Sequence, residues 1–217
     1  VQFIDIGAKD SVYPRFESKI ESFEYIHLFE PNPVFAEKLR AKYNSLPNIY
    51  VHEIAISNET GQANFNIAKL NAASSLLKPN EDLITELNLK SFRSKGQITV
   101  KTSTLDDLHK SGVLKSMPTI LKIDAQGMEA KIIEAGSRFI TSHVELIICE
   151  ADFHKRYEGG SSFEEVDRLI KLLGFEFIKF VDEVYFRENP TQIFFADGVY
   201  GRKGSVYDFN HILDLLY

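Results

Sequence analysis

Short apolar runs rich in β-branched and aromatic residues recur along this chain, and between them apolar positions fall three and four apart, the spacing of a helix with one buried face. "VQFIDIG" reads as a first strand, "PRFESKIESF" as a helix, and "EYIHLFEP" as a second strand stopped by Pro31 and Pro33. "PVFAEKLRAKYN" follows as a helix that turns Val34, Phe35 and Leu39 inward, and "NIYVHEIAIS" as a third strand. "NETGQANFNI" gives a turn and a short extra strand, and residues 68–95 a loop with one short helix. "QITVKTS" is a strand leading into a helix that starts at Ser103 or Thr104, ahead of Asp106 and Asp107. "TILKIDAQGMEAKIIEAG" is strand, turn and helix closing on Gly136. "VELIICEA" is another strand, and "SSFEEVDRLIKLLG" an amphipathic helix running from Ser161 or Ser162 to Gly174. "FEFIKFV" and "TQIFFADG" are expected to pair antiparallel at one edge, and "SVYDFNHILDLLY" to be helical. Strands alternating with helices in this way predict an α/β fold around a largely parallel sheet.

Composition adds bounds. A chain of 217 residues, 44% hydrophobic and 26% charged, fits one domain spanning 1–217. The net charge of -6 disfavours nucleic acid as the main partner. A single cysteine, Cys149, allows no internal disulfide and suits a cytoplasmic protein. No run approaches the roughly 20 apolar residues that a membrane span requires. The chain opens directly on a core strand without a methionine, so an upstream segment is expected. The pattern leaves the oligomeric state open.

In open α/β sheets, ligands bind beyond the carboxyl ends of the strands. Asp5 and Gly7 end the first strand, Glu30 the second, Asp124 the strand of "TILKID", and Glu150 the one that holds Cys149. A glycine turn followed about 20 residues later by a carboxylate is a nucleoside-binding layout, in which the carboxylate accepts ribose hydroxyls. Lys9 and Val12 stand where a pyrophosphate loop needs its second and third glycines, so the nucleoside expected is one without phosphates: S-adenosylmethionine. Methyl transfer to a hydroxyl then needs a proton acceptor. Asp124 is the first candidate, with Glu150 on a neighbouring strand end and Lys122 two residues earlier on the same face of the pleat. Lys122 paired structurally with Glu129 or Glu150 is the plainer alternative. Acceptor contacts are expected from Ser75 beside Ser74, and from His154 beside Arg156 and Tyr157. His154 with Asp124 could form a metal site, but no metal is expected. His27, His52, His109, His143 and His211 sit singly and read as structural.

Taken in order, "FIDIGA", "LFEPNP", "IAISNETGQANF", "SSLL", "TSTLDDL" and "LKIDAQGMEAKIIEAG" resemble the FkbM-type S-adenosylmethionine-dependent methyltransferases, from about Phe3 to Glu150. The family signature falls on Lys122, Asp124, Gln126, Gly127 and Glu129. The resemblance implies a class I methyltransferase fold: a Rossmann-like three-layer sandwich whose seven-stranded, mostly parallel sheet has an antiparallel last strand. It also implies methyl transfer to an oxygen of a small-molecule or carbohydrate acceptor. Ala8, Asn32 and Ala55, which stand within those motifs, join Asp5, Gly7, Glu30 and Asp124 as implied cofactor contacts. Lys9 and Ser11 replace an asparagine and a glycine usual in the family. That departure motivates the alternative of a catalytically silent, partner- or ligand-binding module.

Overall fold

The computed structural model describes residues 1–186, 189 and 191–205. Ten strands form two sheets: β1 (Gln2–Ile6), β2 (Tyr25–Phe29), β3 (Ile49–His52), β4 (Ala55–Ile56), β5 (Gly61–Ala68), β6 (Ser94–Ser103), β7 (Thr119–Ile123), β8 (Val144–Asp152), β9 (Phe175–Tyr185) and β10 (Ile193–Arg202). The larger sheet has seven strands in the order β3-β2-β1-β7-β8-β10-β9. β3, β2, β1, β7 and β8 pair in parallel, whereas β10 runs antiparallel to both β8 and β9. This is the mostly parallel sheet with an antiparallel last strand, and its edge is the β9–β10 couple.

Burial on both faces explains the near-continuous apolar runs of β1 and β7. One face packs Ile4, Leu121 and Ile147 against Leu105 of α3 (Leu105–Lys110), Ile132 of α4 (Glu129–Ala135), Phe139 of α5 (Ser137–His143) and Val166 of α6 (Phe163–Leu172). The other packs Phe3, Ile120 and Ile148 against Phe16 and against Leu39 of α1 (Pro33–Lys42). Three layers result. Side chains start the helices where the residue types suggest: Asn32, Thr104 and Ser162 each accept a hydrogen bond from a first-turn backbone N–H.

Several expectations change. Pro14–Ser22 is a 3₁₀ segment broken at Lys19, not a regular helix. In α1, Phe35, Ala36 and Leu39 are buried, while Val34 is 61% exposed, because the buried stripe begins one position later. "NIYVHEIAIS" is two strands, β3 in the large sheet and β4 in a second, three-stranded sheet of order β4-β6-β5. The irregular middle holds a 3₁₀ turn, Asn71–Ala73, and α2 (Glu81–Glu86). Helix α5 carries no start signal in the sequence: Gly136 closes α4 and opens α5. The helical reading of 206–217, with His211, falls outside the described residues.

Candidate active site

A cleft of about 510 Å³ opens over the carboxyl ends of β1, β2 and β7 and is roofed by Phe65, Asn71, Ala72, Ser74 and Leu76 from the second sheet and the segment after it. Asp5, Gly7, Ala8, Glu30, Asn32, Ala55, Lys122 and Asp124 all line it. Three of the four carboxylates expected at strand ends, Asp5, Glu30 and Asp124, therefore share one space, although Asp5 and Lys122 lie inside their strands, at adjacent register positions on β1 and β7.

Gly7 has φ +87, and a Cβ there would lie 2.1 Å from the backbone oxygen of Asp124. Its missing side chain lets the β1 turn close against the chain leaving β7. Two residues on, Lys9 has φ 44, a left-handed conformation that suits asparagine better than lysine. Ser11 has no such φ, so serine meets no backbone obstacle there. The Lys9 N–H donates to Glu30 Oε2 (3.1 Å) and the Asn32 N–H to Oε1 (2.7 Å), fixing the carboxylate plane at the cleft wall. Burial pushes the Glu30 carboxyl up to about 7 despite these donors. Beside it, Phe29, Ile54, Ile56 and Met128 form an apolar wall.

The other end of the cleft is charged. Lys122 Nζ lies 3.2 Å from Asp197 Oδ1 and 3.6 Å from Asp124 Oδ2, and 5.5 Å from the centre of the Tyr13 ring. The alternative, a pairing of Lys122 with Glu129 or Glu150, does not form: its partners are Asp197 and Asp124. Asp5 accepts the Tyr13 N–H (2.8 Å), and burial raises its carboxyl to about 7 against the pull of Lys122. Burial also raises Asp197, while Lys122 lowers it. The Tyr13 hydroxyl donates to Asp182 (2.6 Å), which Arg15 also holds (2.7 Å). Asp197, Tyr13, Arg15 and Asp182 line the cleft and were not singled out from the sequence.

Three expected residues stand elsewhere. Glu150 is buried behind Gln126: its Oε2 accepts from Gln126 Nε2 (3.0 Å) and its Oε1 pairs with Arg156 (2.9 Å). Ser75 is buried with its hydroxyl donating to the Gln126 carbonyl (2.7 Å); Ser74, not Ser75, lines the cleft. His154 packs against the rings of Phe186 and Phe194, outside the cleft lining. Arg156 and Tyr157 are buried too, not exposed loop contacts. Glu129 closes its own turn, accepting the N–H groups of Ala125 (3.0 Å) and Gly127 (3.2 Å). His27 and His52 are not single: their rings stack, with Nδ1 and Nε2 2.9 Å apart.

The family model of the methyltransferase FkbM domain matches residues 5–177. The chain belongs to this family. Its seven-stranded sheet is that of the class I methyltransferases, and membership implies S-adenosylmethionine as cofactor. This FkbM domain is similar to the 2-O-methyltransferase NoeI of Sinorhizobium fredii, 27% identical over 163 residues. The match takes in 72% of this chain and 65% of that protein, so the chain spans about two thirds of its relative's length. Among solved structures it overlays the Methanococcus jannaschii fibrillarin pre-rRNA processing protein at a TM-score of 0.49 and 9% identity, covering 94% of this chain and 67% of that one. It also overlays the methyltransferase domain of bacterial CtHen1 at 0.47 and 11%, covering 92% and 89%.

The cleft of the FkbM domain fits its cofactor on chemical grounds. Glu30 lines the cleft with a carboxylate that can accept hydroxyl donors, the apolar wall beside it suits a purine, and the carboxylates of Asp5 and Asp124 suit the ammonium of the amino-acid end. No helix among the described residues is long and apolar enough to cross a membrane.

Proposed function

We propose that this FkbM domain is an S-adenosylmethionine-dependent O-methyltransferase acting on a hydroxyl of a sugar, glycan or related small molecule. The observation that carries the reading is one cleft in which the ribose-type carboxylate, Glu30, is continuous with the Asp124–Lys122–Asp197 cluster. When bound, S-adenosylmethionine supplies a methyl group activated by a sulfonium. Glu30 would receive the ribose hydroxyls, and Phe29, Ile54, Ile56 and Met128 would exclude water from the base. Both Asp124 oxygens are engaged, Oδ1 by Gln126 (2.7 Å) and Oδ2 by Lys122. Asp124 therefore suits a fixed anion facing the cofactor's positive charge. Asp197 presents an oxygen that accepts no hydrogen bond among the described residues, and burial brings its affinity for a proton closer to that of a general base. Asp197 would take the acceptor's proton, with Lys122 stabilising the charged form. Glu150 would act only through Gln126.

The oxygen target draws support from the relative's name, a 2-O-methyltransferase. Carboxylates beside an aromatic ring, as at Asp182, Asp197 and Tyr13, are groups that suit a polyol. The test is label transfer from methyl-tritiated cofactor to a panel of mono- and oligosaccharides. We expect label in O-methyl sugars and a fall in kcat of about 10²–10⁴-fold in Asp197→Asn, with cofactor affinity within about twofold. Undiminished turnover in that variant would remove Asp197 from the base role. On the silent-module reading, motivated by Lys9 and Ser11, Ser11→Gly would gain cofactor affinity, whereas an adapted enzyme gains none.

A further inference from the structure

The Gln126 side chain joins three others at the cleft, and turn formation alone does not account for it. It stands at φ 52, a conformation uncommon outside glycine. Its Nε2 donates to Asp124 Oδ1 (2.7 Å) and to Glu150 Oε2 (3.0 Å), so the two amide hydrogens separate two carboxylates. Its Oε1 lies 2.6 Å from the Tyr157 hydroxyl, which is also 2.9 Å from the Ala73 carbonyl. The carboxylates fix the amide's orientation: a flip would turn Oε1, which cannot donate, toward the oxygens of Asp124 and Glu150. Behind it, Arg156 pairs with Glu150 (2.9 Å) and Asp152 (3.1 Å) and lies within 5.9 Å of the ring centres of Phe92, Tyr157, Phe194 and Phe195. The cation balances the rear carboxylate and leaves the charge of Asp124 facing the cleft.

We infer that Gln126, aligned by Tyr157 and backed by the Glu150–Arg156 pair, is a positioning residue that holds the Asp124 carboxylate toward the positively charged sulfonium and ammonium groups of the cofactor. The inference rests on the proposed cofactor reading and goes beyond it by assigning work to Tyr157, Glu150 and Arg156, which do not line the cleft, and to the Gln126 amide that links them to Asp124. In this chain the amide supplies the donors to both carboxylates. Glutamate at 126 would face Asp124 and Glu150 at hydrogen-bond distance, with Glu129, Asp152, Lys122, Arg156 and Tyr157 as the remaining titratable neighbours. Lys122 and Arg156 are already paired, so the new carboxyl must carry a proton to fit.

The test is calorimetric titration of the protein with S-adenosylhomocysteine and S-adenosylmethionine from pH 5.5 to 8.5, beside thermal melts. Gln126→Ala should weaken binding by about tenfold, the usual scale for a lost hydrogen bond to a charged group. Tyr157→Phe should weaken it in the same direction by less. Gln126→Glu should bind nearly as well as the unaltered protein at the acid end and lose affinity progressively as pH rises. A residue that merely shapes the turn would lower the melting temperature without creating that pH slope. Affinities equal to the unaltered protein's in all three variants, or a Gln126→Glu profile parallel to that of the unaltered protein, whose Asp5 and Glu30 also titrate in this range, overturn the inference while leaving the cofactor reading standing. No binding by the unaltered protein at millimolar cofactor overturns both.

Discussion

Replacing Gly7 with alanine should damage stability and cofactor binding together, because one missing methylene position holds two strand ends in contact. The added Cβ would lie 2.1 Å from the Asp124 carbonyl oxygen and 3.2 Å from its carbonyl carbon, and both are backbone atoms. No rotamer change relieves that overlap, so either the β1 turn or the chain after β7 must move. Overpacking of this kind costs about 1–3 kcal/mol. Holding alanine at φ +87 adds roughly 1–2 kcal/mol. A total of about 3 kcal/mol corresponds to a fall in Tm of about 6–12 °C for a domain of this size. Gly112→Ala separates the two costs, since Gly112 also has a positive φ, +78, but a Cβ there meets nothing within 4 Å. Chemical denaturation of both variants, with calorimetric titration of S-adenosylhomocysteine, measures the difference. Gly7→Ala should be the less stable by about 1–3 kcal/mol and should alone lose affinity, because the displaced backbone carries Asp124. If the two variants match in both measurements, the close approach of Gly7 to Asp124 has no consequence and the argument fails.

Arg156→Ala should cost about 3–5 kcal/mol in denaturant unfolding, because it leaves the Glu150 and Asp152 carboxylates buried without their cation; a loss below about 1 kcal/mol would show that the ion pairs are unimportant. The His27–His52 pair should give a stability term with a definite sign. Burial lowers both below the ordinary imidazole value of 6.5, His27 to about 3 and His52 to about 4, with each ring lying beside a further positive or titratable neighbour. Unfolded histidines therefore bind protons first, and the term is fully present above about pH 6.5 and lost as pH falls toward 4. The raised carboxyls Asp5, Glu30 and Glu129 act with the opposite sign. The measurement is thus the difference in unfolding free energy between the unaltered protein and His27→Leu, which should shrink on acidification. A difference independent of pH would contradict it.

Local pattern made much of this fold legible, because the deciding interactions were local. The apolar runs of β1, β2, β7 and β8, and the caps Asn32, Thr104 and Ser162, follow from burial on both sheet faces and from unpaired first-turn donors. The convergence of Asp5, Glu30 and Asp124 also followed, since parallel strands place their carboxyl ends on one side. Partners across the sheet are not written locally. "NIYVHEIAIS" has no turn residue to mark where β3 leaves one sheet and β4 joins another. Asp197 lies within the run "TQIFFADG", and only the antiparallel insertion of β10 beside β8 brings it to Lys122. One signal was available: an aspartate inside an apolar strand is costly to bury unless a cation meets it. Glu150 misled because strand-end position was taken as cleft exposure. Gln126 stands between it and the cleft, and Arg156, only six residues farther on, satisfies it from behind.

A crystal structure of the protein with S-adenosylhomocysteine tests the central claim most directly. The account predicts the ribose hydroxyls on the Glu30 carboxylate, the base against Phe29 and Ile56, and the amino-acid end beside Asp5 and Asp124. Ligand bound outside this cleft, or a cleft without ligand at saturating concentration, would contradict it.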